Sequence, residues 1–191
     1  MSDESVGSPL SPDEQKTLLA VARTAIEQAY DDTTSDTIHV DSSRLFEKLG
    51  AFVTLHNDGV LRGCIGYVFA YKPLVETVKE MAVAAAMRDP RFVPVDQEEL
   101  PFVDIEISVL SPLRDIRDIQ EIEIGIHGLY ISRGAYSGLL LPQVALEYNW
   151  DREAFLEQTC RKAGLPLNAW QDEETSIKIF SAQVFGEKMH D

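Results

Sequence analysis

The chain has 191 residues, 45% of them hydrophobic and 26% charged, which suits one globular unit or two small lobes sharing a core. Acidic residues outnumber basic ones 32 to 17, for a net charge of −15. That balance opposes a general nucleic-acid binder and a protein held on an anionic membrane surface, because both need a basic face. Its plain meaning is solubility, although a local basic pocket is compatible with it. Cys64 and Cys160 make neither a disulfide framework nor a zinc set, and the four histidines are scattered without ligand spacing. No metal and no cofactor are expected. The start, MSDESVGSPLSPDEQ, lacks the basic and apolar regions of a signal peptide, and no apolar run approaches a bilayer span. A reducing cytoplasm is the expected location.

Residues 1–10 read as a flexible tail. Ser11-Pro12-Asp13-Glu14 then signals a helix start, with Ser11 as cap, Pro12 at the first helical position and Glu14 reaching back. Leu18, Ala22, Ala25, Ile26 and Ala29 follow at helical spacing, which predicts a helix to about Tyr30. DDTTSDT reads as a polar loop, and Ser42–Leu49 as a short helix that Gly50 stops. Ala51–His56 and Val60–Phe69 are predicted strands joined by the hairpin turn Asn57-Asp58-Gly59. Pro73 opens a helix with the apolar stripe Leu74, Val78, Met81, Ala82 and Ala85, ending near Arg88. RDPRFVPV is a proline-stiffened loop, and Asp96–Leu100 is expected to make one helical turn. In PFVDIEISVLSPL, Val103, Ile105, Ile107 and Val109 alternate with Asp104, Glu106 and Ser108, the pattern of a half-buried strand.

EIEIGIHGLYIS and GLLL read as a small glycine-broken strand meander. Pro142 begins a short helix, and Asp151 caps another whose buried side carries Phe155, Leu156 and Cys160 until Gly164 and Pro166 end it. SIKIFSAQVFGE is a final alternating strand. Helices and strands mix without a strand-helix-strand rhythm, so the fold class is α+β, with a mixed, mainly antiparallel sheet and flanking helices.

Three stretches could carry chemistry. In LRGCIG, strand alternation puts Arg62, Cys64 and Gly66 on one face, so the guanidinium would stand close enough to favour a thiolate. Gly66 would leave open space there, and Gly63 would let another chain segment approach from behind. Equally, Cys64 could be a small buried hydrophobe; Cys160 reads as core. In Arg88-Asp89-Pro90-Arg91, the arginines could clamp a phosphate or carboxylate, or Arg88 could simply complement its helix terminus while Asp89 caps or pairs. His127, between Gly125 and Gly128, could be a general base or a satisfied core histidine. Asp104 and Glu106 share a strand face and could work as a carboxylate pair; a solvated face is the simpler reading.

LRGCIG, PLVETVKEMAVAAAMRDPRF, EISVLSPL, IGIHGLYI, LLPQVALE and KAGLP…W occur here in that order. Together they resemble the AMME chromosomal-region (AMMECR) domain family, whose prokaryotic members are called AmmeMemoRadiSam system protein A. Met87 stands where many relatives carry Phe. The resemblance spans residues 11–187 and implies a larger and a smaller lobe around a cleft, the smaller formed around 109–141. It implies Leu61–Gly66 as the motif of a site, and Memo-like and radical-SAM proteins as partners, but no particular reaction. Two readings follow. In one, the cleft binds a small anionic ligand or a partner segment, using Arg62, Gly63, Gly66, Arg88, Asp89 and Arg91. In the other, Cys64 is a nucleophile or carrier thiol with His127 as proton shuttle.

Overall fold

The computed structural model describes residues 9–31 and 38–188. They divide into two units: the chain up to Leu110 together with the residues from Gln183 on, and Ser111–Ala182.

The first unit opens with helix α1, Pro12–Tyr30. Its start is the expected capping box: Glu14 N–H donates to Ser11 Oγ at 3.3 Å, and Ser11 N–H donates to Glu14 Oε2 at 2.7 Å. Leu18, Ala22, Ala25 and Ile26 are buried as their spacing requires, whereas Ala29 is exposed. Residues 1–8 of the expected tail, and all but Asp31 of the expected DDTTSDT loop, lie outside the described residues. Leu10 is not tail. It is buried, and its N–H donates to Gln183 Oε1 at 2.6 Å.

The helix expected at 42–49 is only a 3-10 turn, Ser43–Phe46, held by the Ser42 side chain. Gly50 therefore stops no helix. A Cβ on it would lie 2.4 Å from the Val68 carbonyl oxygen, so it is glycine because another backbone passes there. Strands β1, Ala51–Asn57, and β2, Val60–Tyr67, form the predicted hairpin. Asp58 and Gly59 at its tip have φ of 49° and 77°, the paired positive values of a type I′ turn. Helix α2, Leu74–Met87, follows, and strand β3, Val103–Leu110, pairs antiparallel with β1. The last strand, β7, Ser176–Gly186, supplies its final residues to the free side of β3, so the strand order here is β2-β1-β3-β7.

Alternation then builds the core. Ala51, Val53 and Leu55 of β1 and Ile105, Ile107 and Val109 of β3 meet Val78, Met81, Ala82 and Ala85 of α2 and Leu18, Ala22 and Ile26 of α1. Both helices thus cover one sheet face. The other face carries Thr54, His56, Asp104 and Glu106, all half-buried.

The second unit contains β4, Arg114–Asp115, paired with β7, and a hairpin of β5, His127–Arg133, with β6, Tyr136–Leu140. Its strand order is β7-β5-β6. The stretch expected to begin a strand at Glu121 does so only at His127. Before it come a 3-10 turn, Ile119–Glu121, and a turn through Gly125 at φ +83°. A turn needing left-handed backbone interrupted what looked like continuous alternation. Helices α3, Pro142–Glu147, and α4, Arg152–Lys162, pack on the hairpin, with Phe155, Leu156 and Cys160 fully buried. Asp151 accepts the capping bond from Ala154 N–H, and Gly164 at φ +74° turns the chain away. This unit holds most of the 109–141 stretch and also α3, α4 and the first part of β7. Every strand pair described is antiparallel. With the four helices, the fold is α+β.

Candidate site at the LRGCIG strand

Hairpin arithmetic decides which way the motif points. Asn57 pairs with Val60 and His56 with Leu61, but Leu55 pairs with Gly63. Arg62 is therefore an extra residue, a β-bulge. Without it, Arg62 would face Leu55 and Cys64 would face Val53, both under the helices. The one-residue slip turns Gly63 inward instead and brings Cys64 out opposite Thr54. Gly63 is then pressed against α2, where a Cβ would lie 2.2 Å from the Ala85 carbonyl oxygen. The expected close approach behind Gly63 is this helix backbone.

The same bulge overturns the expected pairing of Arg62 with Cys64. Arg62 Nε donates to Glu99 Oε1 at 2.8 Å and Nη2 to Glu99 Oε2 at 3.1 Å. Nη1 donates to the Val93 carbonyl at 2.8 Å, and Nη2 also to that of Pro94 at 3.1 Å. All three guanidinium nitrogens are engaged, by four hydrogen bonds that fix the 93–99 segment against β2. The Arg62 hydrogen bond holds the Glu99 carboxyl below the ordinary carboxylate range, aided by Asn57 and opposed by burial.

Cys64 has different neighbours. Thr54 Oγ1 donates to its Sγ at 3.2 Å. On the outer edge of β2, its N–H donates to Asp89 Oδ2 at 2.8 Å and its carbonyl accepts from Arg91 Nη2 at 3.2 Å. Asp89 and Arg91 thereby satisfy the backbone of an edge strand where a further strand would otherwise pair. Asp89 is 5% exposed. Arg91 donates to it from Nη2 at 2.6 Å, from Nε at 3.0 Å and from its backbone N–H at 3.1 Å. The Arg91 guanidinium chiefly, with the N–H groups of Cys64 and Arg91 behind it, holds the Asp89 carboxyl far below its usual range despite burial. Arg91 in turn is raised, first by the bond to Asp89, and its side chain remains 53% exposed.

The other expected site residues are distributed as follows. Gly66 leaves no open space, because the Phe52 ring opposite lies where a Cβ would come within 2.4 Å of it. Arg88 is exposed at the end of α2. His127 belongs to the second unit and is engaged locally, its Nδ1 accepting from Glu123 N–H at 3.1 Å. Cys160 is in the core of that unit, and burial pushes its thiol pKa up. So Arg62, Gly63, Cys64, Asp89 and Arg91 come together in the first unit, but Arg62 serves the scaffold.

Glu99 and Thr54 are partners that sequence reasoning missed. The available signal was the hairpin count: unbroken pairing from Asn57-Val60 would put a charged Arg62 in the helix-covered core, which a bulge avoids. Among the described residues, no group of three or more His, Cys, Asp or Glu could hold a metal ion, and no helix is long and apolar enough to cross a membrane.

The AMMECR1 family model matches residues 19–185. A protein of Methanothermobacter thermautotrophicus is 45% identical over 188 residues, covering 94% of this chain and 97% of that protein. Protein MK0488 of Methanopyrus kandleri is 43% identical over 192 residues, covering 96% and 93%. The crystal structure of an uncharacterized protein, PH0010, from Pyrococcus horikoshii has the same fold, with a TM-score of 0.81 at 42% identity over 90% of each chain.

Proposed function

The chain belongs to the AMMECR1 family, and for this member we propose that the LRGCIG strand forms a binding site for a small anionic ligand, with Arg91 as its cationic contact. The observation behind the reading is how few polar groups around the motif remain uncommitted. Every guanidinium nitrogen of Arg62 is held by Glu99 or one of two carbonyls, and Asp89 is buried under Arg91. Arg91 is half-exposed, and its Nη1 makes no hydrogen bond among the described residues. A guanidinium held in place by a buried carboxylate loses little freedom on meeting an anion. Arg88, exposed nearby in sequence, adds positive charge on an otherwise acidic protein.

Catalysis by Cys64 is the second reading, and the half-buried thiol beside a hydroxyl is what favours it. A Thr hydroxyl is not a general base at neutral pH, and a nucleophile needs one. Both cysteines are free, which fits a reducing cytoplasm. The motif strand is also where contacts with the Memo-like and radical-SAM proteins implied by the family resemblance belong in this reading.

The test is amide NMR during titration with inorganic phosphate. Saturable shifts at 62–66 and 88–92 that Cys64→Ser keeps and Arg91→Ala loses are expected. Shifts that never saturate, or that survive Arg91→Ala, would sink the proposal.

A further inference from the structure

The half-buried face of the β2-β1-β3 sheet carries a cross-strand row that the proposal above leaves unused. Thr54 lies opposite Cys64 on one side and opposite Glu106 on the other. Cys64 N–H points away from β1, to Asp89, so Thr54–Cys64 is the close, non-hydrogen-bonded kind of pair. The backbone of Thr54 then points to β3, which makes Thr54–Glu106 the wider kind. Cys64 and Glu106 are thus about 10 Å apart at Cα, with Thr54 as the floor between them.

Glu106 stands out by its lack of partners. Among the described residues its side chain makes no hydrogen bond and no ion pair, whereas its neighbour Asp104 pairs with Lys188. On its β7 side lies Gly186, where even a Cβ would stay 3.6 Å from the nearest Glu106 side-chain atom. At one end of the row the Phe52 ring covers Gly66; at the other stand His56 and Leu61. An unpaired, half-buried carboxylate on a polar sheet face is a ready acceptor for a ligand's N–H groups.

Building on the anionic-ligand reading, we propose that the site takes a bifunctional ligand. Its anionic end meets Arg91 at the free edge of β2, its N–H donor or ammonium end meets Glu106 on β3, and Cys64 and Thr54 lie beneath its middle. The ligand class is that of ω-amino acids and short peptides with a free carboxylate. The two ends of the site carry opposite charge, so simple dicarboxylates are disfavoured at Glu106.

The test uses 6-aminohexanoate as probe, with hexanoate as its amine-free control, followed by amide NMR on wild type, Glu106→Gln and Arg91→Ala. Glu106→Gln keeps the side-chain shape, and its spectrum reports directly whether the fold is intact. The expected result is saturable binding of 6-aminohexanoate that touches 62–66 and 104–107. Glu106→Gln should weaken it at least about tenfold, the lower end for hydrogen bonds to a charged group, and hexanoate should bind the wild type no better than 6-aminohexanoate binds that variant. Equal binding of the two probes, with Arg91→Ala abolishing both, overturns this inference and leaves the anionic site standing. Binding that Arg91→Ala does not touch, or no saturable binding of either probe, overturns both.

Discussion

Replacing Gly63 by alanine probes the packing that turns Cys64 outward. The new Cβ would sit 2.2 Å from the Ala85 carbonyl oxygen and 3.1 Å from its carbon. Ordinary contact therefore requires β2 and α2 to separate by about 1 Å. The opposing atoms are helix backbone, so no rotamer change can relieve the clash. Val78, Met81 and Ala82 on the same helix are fully or nearly fully buried, and they would move with it. Overpacking costs about 1–3 kcal/mol, and a backbone-on-backbone clash belongs at the upper end. For a chain of this length, about 3 kcal/mol lowers Tm by about 6–12 °C. The assay is calorimetric melting of Gly63→Ala beside Gly59→Ala. Gly59 has φ of +77° but nothing within 4 Å of a Cβ, so its variant isolates backbone strain at about 1 kcal/mol. If Gly63→Ala melts within about 2 °C of wild type, or no lower than Gly59→Ala, the assigned packing of α2 on the motif is wrong.

Two further outcomes are expected. Asp89→Asn removes the charge that Arg91 and the Cys64 N–H share, and should cost about 2 kcal/mol at neutral pH. Because the folded-state pKa of Asp89 is depressed, its contribution is full above the unfolded carboxylate pKa of about 3.9 and is lost as pH falls below that value. Wild type should accordingly keep its margin over the variant above about pH 4 and lose it progressively as pH falls from there toward the depressed folded-state pKa, and a margin constant with pH in acid-unfolding curves would refute the assignment. Iodoacetamide should label Cys64 in the native protein and spare Cys160, which has 0% exposure and a thiol raised by burial. Mass spectrometry that finds Cys160 labelled as fast as Cys64 would contradict the placement of both.

Much of the fold was legible because its signals are local. The Ser11-Glu14 box, the Asp58-Gly59 turn, the α2 stripe and the alternation of β3 each depend on residues a few positions apart, and each is present where expected. The site was less legible because its geometry rests on one extra residue. Alternation within LRGCIG put Arg62 and Cys64 together, but the bulge gives Arg62 to Glu99, 37 positions away, and Cys64 to Thr54. No pattern inside six residues reports a register set by the opposite strand. Glycines misled in a related way: Gly50 and Gly66 are explained by a carbonyl and a ring brought in from elsewhere, not by a helix stop or by empty space. Asp89 read either as a ligand contact or as a local cap or pair, and only its burial, its pairing with Arg91 and its bond to an edge-strand amide tell the two apart.

The route of strand β7 also has a consequence for synthesis. Everything in the first unit up to Leu110 leaves the ribosome before Ser111–Ala182 does, yet the part of β7 that belongs to this unit begins only at Gln183. At 5–20 residues per second the intervening stretch takes roughly 4–14 s to emerge. Throughout that interval the outer edge of β3 is without its neighbour, and Arg23 and Ile105 N–H are without the Glu187 carboxylate they later share. An open strand edge is a template for wrong pairing. The nascent chain therefore meets its greatest risk of misassociation late, and holding chaperones that act during elongation should matter more for its yield than those that act after release.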